Sequence, residues 1–337
     1  MAVVIGAGAS RILVIGPAWV GDMVMAQSLF AALRRQRPDA VIDVLAPRWT
    51  LPLLSFMPDV RRAIEQPLGH GELGLAVRRR QGRELEAAGY DLAFVLPGSL
   101  KAALVPYWAG IPRRRGYGGT LRRLLLNEVR PKASLPQVES YLALADWDQP
   151  APEPRLVLPP GIAGQALDAL GLSPPQEPLL AIAPGAEYGP AKRWPIRHFA
   201  AVAEAKRREG WKVWLFGSPG DRELAAAIAC DQNLAGRTSL DQAVALMSLA
   251  DTVLSNDSGL MHVAAALQRP QIALFGPSDP LRTGPRSTKA RVLRLGLDCS
   301  PCNRRVCPLG HHRCLEDLSP AMALMLPAAF DRRSTQR

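Results

Sequence analysis

Short apolar runs rich in β-branched residues alternate along this chain with stretches whose apolar residues recur at helical spacing. This alternation restricts the fold more than any other feature, because strands separated by helices pair in parallel and need helices on both faces of the sheet. The first run is RILVIG, residues 11–16, a strand buried on both sides. PAWVGDM follows. Met23, Ala26, Phe30 and Leu33 then mark one helix face, and Pro38 closes it. Residues 40–45 and 91–96 predict further strands, with a helix over 72–88 before the second.

A Pro-rich segment, QPAPEPRLVLPPG at 149–161, interrupts the rhythm and reads as a linker. Strands then resume at 179–183, 212–216, 252–255 and 271–275, with helices at 196–208, 221–229, 240–249 and 258–267. The expected architecture is α/β, with two doubly wound, Rossmann-like domains of residues 1–152 and 153–337 facing a central cleft. Such sheets bind ligands beyond the carboxyl ends of their strands. The run GAGAS, residues 6–10, imitates a dinucleotide fingerprint. Its third glycine position holds Arg11, however, and a strand follows where the motif needs a helix.

Charge narrows the partners. The 337-residue chain carries a net +11, concentrated in two stretches. Lys101 to Lys132 holds eight Lys/Arg against Glu128, and Arg282 to Arg313 holds eight against Asp298. Such patches suit a polyanion, an acidic membrane surface or a phosphorylated glycolipid, and a solvated basic face is the plain alternative. Nucleic acid is disfavoured, because only 6% of the chain is aromatic and no RNA-binding signature is present. No stretch approaches the roughly 20 apolar residues of a membrane span, and the N-terminus lacks a basic leader. These features predict a soluble cytoplasmic protein.

Five segments can carry chemistry. Asp22 follows a strand and a glycine at the start of a helix, where a carboxylate can act as a general base or simply complement the helix dipole. The loop PGAEYGPAKRWP offers backbone amides and the adjacent cations Lys192 and Arg193, which suit a diphosphate. In FGSPGDRE, Asp221 or Glu223 can meet ribose hydroxyls or serve only as helix N-terminal charge. In NDSGLMH, Asp257 ends a strand, Ser258 and Gly259 open a helix with an anion-binding N-terminus, and His262 lies one turn further on. Cys299, Cys302, Cys307 and Cys314 fall within sixteen residues, with His311 and His312 between the last two. The first pair resembles half of a zinc knuckle, and the rest of the spacing fits no common zinc pattern. Structural metal, buried thiols and a redox pair are the competing readings, and no metal is assigned.

Several of these segments together resemble one family. ILVIGPAWVGDMVMAQSL, PLGHGEL, VLPGSLKAALVP, AGIPRRRGY, PGAEYGPAKRWP, LFGSPGD and NDSGLMHVAAAL are similar to the ADP-heptose:lipopolysaccharide heptosyltransferases of glycosyltransferase family 9, in the branch that adds the second heptose. The match runs from about residue 11 to about 280. It implies a GT-B fold with the glycolipid acceptor on the N-terminal domain and ADP-heptose on the C-terminal one. It implies inverting transfer to the lipopolysaccharide inner core, with peripheral contact at the inner membrane and no required cofactor. Carried over, Asp22 is the base and Lys192 stabilises the leaving ADP. Asp221, with Glu223 as fallback, contacts ribose, and Asp257, Ser258, Gly259 and His262 line the diphosphate and sugar site. Lys101, Arg113 and Arg122 are the acceptor candidates. A relative acting on another core acceptor or nucleotide sugar is the nearest alternative.

Overall fold

A computed structural model describes residues 10–69, 71–119, 121–131 and 133–325. The start of the glycine run at 6–10, His70, Lys132 and the Arg-rich tail lie outside the described residues. The chain forms two compact units, Met1–Pro154 and Arg155–Arg337, and the division lies inside the Pro-rich segment.

The first unit is built on a six-stranded sheet: β1 (Arg11–Ile15), β2 (Val41–Pro47), β3 (Arg62–Gln66), β4 (Leu92–Val95), β5 (Arg113–Tyr117) and β6 (Glu128–Arg130). Their order is β3-β2-β1-β4-β5-β6, and every pair is parallel. The chain order reverses between β1 and β4, so the crevice beyond the carboxyl ends of those strands is the natural ligand position. The helix Val20–Gln36 leaves β1 there, with Asp22 in its first turn. The core on one face gathers Leu13, Ile15, Leu45, Ala93, Val95 and Val105.

The second unit repeats the plan with β7 (Leu179–Ala183), β8 (Lys212–Leu215), β9 (Gln232–Asn233), β10 (Thr252–Asn256), β11 (Gln271–Leu274) and β12 (Ala290–Leu293). Their order is β12-β11-β10-β7-β8-β9, again parallel throughout. Its reversal falls between β7 and β10. The loops that follow these two strands therefore emerge side by side. Trp194, Phe199, Val202, Val213, Leu215 and Leu254 fill the core beneath.

The central strands and the long helices stand within a residue or two of the sequence expectation, apart from the helix at 72–88, which is shortened to Leu75–Glu86. The expected helix at 221–229 is instead a 3-10 turn, Pro219–Asp221, followed by Arg222–Ala226. β3, β5, β6, β9 and β12 were not anticipated. β3, β6, β9 and β12 lie at or next to the sheet margins, where little apolar surface is buried and the hydrophobic pattern fades. β5 hides behind its arginines: RRRGY reads as a charged loop, yet Arg115 is buried.

One polar group inside the first sheet is held with care. Asp43 on β2 is fully buried, accepts the Tyr90 hydroxyl at 2.6 Å and pairs with Arg61. Removing one side of a buried charged contact strands the other. Asp43→Ala should cost roughly 3–5 kcal/mol and Tyr90→Phe about 1–2 kcal/mol, read from urea-induced unfolding. Equal costs for the two would show that the carboxylate is not the centre of the cluster.

Candidate active site

The loop after β7 and the end of β10 are joined through one side chain. Asn256 closes β10, is fully buried, accepts the Trp194 N–H at 3.0 Å and donates its amide to the Pro184 carbonyl at 2.7 Å. Both ends of the 184–194 loop are thereby fixed to the neighbouring strand. Trp194, itself buried, also donates its indole N–H to the Leu318 carbonyl at 2.8 Å. Gly189 adopts φ +154°, and a Cβ there would sit 2.7 Å from the Arg305 carbonyl oxygen. The glycine at 189 is thus a requirement of the loop's shape.

This fixed loop presents Lys192. Its ammonium pairs with Asp257 at 2.5 Å and lies 4.8 Å from the centre of the Tyr188 ring. The Asp257 carboxylate is buried and accepts a second hydrogen bond, from the Ser278 hydroxyl, at 2.5 Å. Next in the chain, Ser258 is the extended residue that opens the helix Gly259–Ala266, and its hydroxyl makes no cap hydrogen bond to that helix. A helix N-terminus concentrates unpaired amide protons and partial positive charge. With the Lys192 ammonium beside it, the corner becomes a site for an anion.

His262 sits one turn into the same helix, 5% exposed. Burial pushes its imidazole down to about 4; Asp257 opposes this, and Lys192 reinforces it. The ring is therefore neutral near pH 7 and acts as a polar, uncharged wall.

Asp221 lies below the same loop. Its carboxylate accepts the Ser218 N–H at 2.9 Å and the Ser218 hydroxyl at 2.8 Å, closing a capping box. A Cβ on Gly185 would come within 2.4 Å of that carboxylate, so the glycine makes room for it. Glu223 is exposed two residues further on.

In the first unit, Asp22 is partly exposed, and its charge reaches the buried Tyr141, whose hydroxyl is pushed well above its ordinary value chiefly by burial. The acceptor candidates are dispersed in role. Lys101 donates to the Glu72 carbonyl at 3.1 Å. Arg113 pairs with Glu128 at 2.5 Å. Arg122 is 4% exposed and donates to the Tyr117 carbonyl at 2.7 Å, while its Nε and second terminal nitrogen are buried without a hydrogen bond. The four clustered cysteines line one small cavity in the second unit, together with His311 and His312. Among the described residues, no group of three or more metal-ligating side chains is gathered to hold an ion.

A family model described as glycosyltransferase family 9 (heptosyltransferase) matches residues 78–313. The chain belongs to glycosyltransferase family 9. It is 47% identical to the lipopolysaccharide heptosyltransferase 2 of Escherichia coli K12, over 93% of this chain and 96% of that protein. It is 43% identical to the lipooligosaccharide heptosyltransferase 2 of Haemophilus influenzae Rd, over 93% and 97%. The solved E. coli ADP-heptose lps heptosyltransferase II superposes with a TM-score of 0.83 at 44% identity, covering 95% of this chain and 98% of that one. The two parallel six-stranded sheets of this family 9 chain are those of a GT-B enzyme.

Within the second unit, the structure brings together Lys192, Asp257, Ser258, Gly259 and His262. Sequence reasoning missed Asn256, Ser278 and Tyr188 as parts of that corner. Asn256 could have been suspected as an amide ending an apolar strand. Ser278 and Tyr188 carry no local signal, because only the tertiary fold sets them beside Asp257 and Lys192.

The depressed His262 value has a measurable consequence. Between 6.5 and about 4 the unfolded chain binds a proton that the folded chain refuses. Stability is thus fully present above pH 6.5 and falls as pH drops toward 4. At pH 4.5 the loss from this residue should be roughly 2–3 kcal/mol. His262→Gln should flatten the slope of unfolding free energy between pH 7 and 4.5; an unchanged slope would assign the acid sensitivity elsewhere.

Proposed function

We propose that this family 9 heptosyltransferase moves heptose from ADP-heptose to a lipopolysaccharide inner core that already bears one heptose. The relatives named above support the donor and the acceptor class, and the corner around Asp257 supports the chemistry. A cation held against a helix N-terminus meets the main demand of the reaction, which is to stabilise negative charge on a departing nucleoside diphosphate. That arrangement is the observation that carries the reading.

In this mechanism Asp22 takes the proton from the acceptor hydroxyl. The resulting oxygen attacks the anomeric carbon from the face opposite the phosphate, and the bond to ADP breaks as the new glycosidic bond forms. Configuration at that carbon inverts. Lys192 and the amides at Ser258 and Gly259 receive the charge that develops on the diphosphate. Asp257 and Ser278 hold Lys192 in place, and the ammonium keeps further protons for the phosphate after one is given to Asp257. Asp221, or Glu223 beyond it, contacts the ribose, and neutral His262 lines the sugar site without adding charge. Lys101, Arg113 and Arg122 are the candidates to meet the anionic acceptor in this reading. Among the described residues, no helix is long and apolar enough to cross a membrane. Contact with the inner face of the inner membrane is peripheral and electrostatic in this reading.

The test is turnover of ADP-heptose by the full chain with inner-core acceptor bearing one heptose. ADP release with a gain of one heptose in acceptor mass is expected. Tight ADP binding without transfer would remove the acceptor from the proposal, and absence of both would remove the donor as well.

Two substitutions separate the roles. Asp22→Asn should leave ADP affinity nearly unchanged while kcat falls roughly 10²–10⁴-fold. Lys192→Ala should lower kcat/KM for the donor about 10²–10³-fold. Wild-type turnover in either variant would reject the corresponding assignment.

A further inference from the structure

Cys299, Cys302 and Cys307 belong to a segment with little regular structure between β12 and the short helix Arg313–Glu316, and Cys314 stands in that helix. Yet this segment is held firmly against the active-site corner. Asn303 donates its N–H to the Pro277 carbonyl at 2.7 Å and accepts the Tyr188 hydroxyl at 2.9 Å. Arg305 accepts the Ala191 N–H at 3.1 Å and places its guanidinium 5.2 Å from the centre of the Tyr188 ring. Ser300 donates to the Gly276 carbonyl. A long irregular segment inside a compact unit is uncommon and is usually functional.

The sulfurs sit where a cross-link or a ligand would fix this segment. Cys299, Cys302, Cys307 and Cys314 all border one small cavity, and all four are thiols. The same cavity is lined by Ala191 and Pro277. Their chain neighbours, Lys192 and Ser278, are the two residues that grip Asp257. The fifth cysteine, Cys230, is not among the residues that line the cavity and packs against the core of the second unit.

We propose that Cys299, Cys302, Cys307 and Cys314 bind one soft divalent cation of the Zn²⁺ class as a tetrathiolate, forming a structural staple beneath the Lys192–Asp257 pair. Four sulfur donors and no carboxylate favour such a cation over Mg²⁺ or Ca²⁺. His311 and His312 also border the cavity, but the His311 Nδ1 already accepts the Arg313 N–H at 3.0 Å. As they stand, the side chains are not gathered at coordinating distance. A single χ1 rotamer change moves a cysteine sulfur by about 3 Å, so thiols bordering one narrow space can converge with little backbone movement. Binding releases the four thiol protons to solvent and leaves a net charge of −2 on the centre. Arg304 and Arg305, from the same segment, supply compensating positive charge. The staple would hold the segment, and through it the chain on either side of Lys192 and Ser278.

The experiment is metal analysis of the full chain, purified under reducing conditions without chelator, followed by exchange into Co²⁺. About one Zn²⁺ per chain is expected. The Co²⁺ form should show an intense sulfur-to-metal charge-transfer band and the strong visible bands of tetrahedral coordination. Cys302→Ser and Cys314→Ser should each lose most of the metal, and Cys230→Ser should keep it. Should the serine variants fail to fold, the Co²⁺ spectrum of the wild-type chain still counts the thiolates. Reduced protein that stays metal-free in micromolar Zn²⁺ or Co²⁺ would overturn the proposal. So would a Co²⁺ spectrum without thiolate bands, or alkylation masses showing the four cysteines paired as disulfides.

Discussion

The second unit depends on the last residue of one strand and the residue that follows it. Asn256 and Asp257 are adjacent at the end of β10, and they have opposite tasks. Asn256 turns inward and ties both ends of the 184–194 loop to the sheet. Asp257 holds Lys192, which that loop delivers, while Ser278 from beyond β11 supports the carboxylate. Three successive loops of a parallel sheet thus meet on one dipeptide. A buried carboxylate is expensive unless it is paired and hydrogen-bonded, and here it has both kinds of partner. The carboxylate in turn fixes the position of a cation whose flexible stem would otherwise sample many rotamers.

The same pair tunes the surrounding field. Lys192 and Asp257 nearly cancel as charges, so the corner is not strongly positive while the anion site is empty. In the proposed function, an incoming diphosphate would meet an oriented ammonium and oriented helix amides, with little reorganisation left to do. His262 conforms to this plan. Burial keeps its ring uncharged, with a value of about 4, so it adds no second cation to the corner. A protonated ring there would bind the diphosphate more tightly but would hold the product as firmly as the transition state, which brings no gain in turnover.

Much of this was legible from the sequence. A strand buried on both faces, such as residues 179–183, advertises itself as an unbroken apolar run. The glycine and proline punctuation located the loops that carry Lys192, Asp221 and Asp257. What escaped was set by tertiary contact. Marginal strands such as β3 and β6 bury too little to leave a period in the sequence. Asp221 was legible as an acidic residue at a strand end. Its capping box with Ser218 and its place under Gly185 become visible only when the loops are folded together.

The basic composition of the first unit shows how far formal charge differs from available charge. Arg115 is buried and divides its guanidinium between Glu128 and Asp146, and Arg113 shares the same glutamate. Arg130 takes the other oxygen of Asp146. Three arginines and two carboxylates thus form one network that fastens β5 to β6 and to the end of the Gln137–Leu144 helix. Arg114 is spent on carbonyls, those of Ile111 and Leu125. Burial pushes the Glu128 carboxyl up, the hydrogen bonds and charges of Arg113 and Arg115 pull it down, and the net direction is downward, so Glu128 is ionised at neutral pH. The cations that an anionic glycolipid can meet are therefore fewer than eight. In the proposed function, a phosphorylated acceptor would be met by cations outside this network, such as exposed Arg123. Arg122, in the same turn, is buried, and its guanidinium serves the fold through the Tyr117 carbonyl.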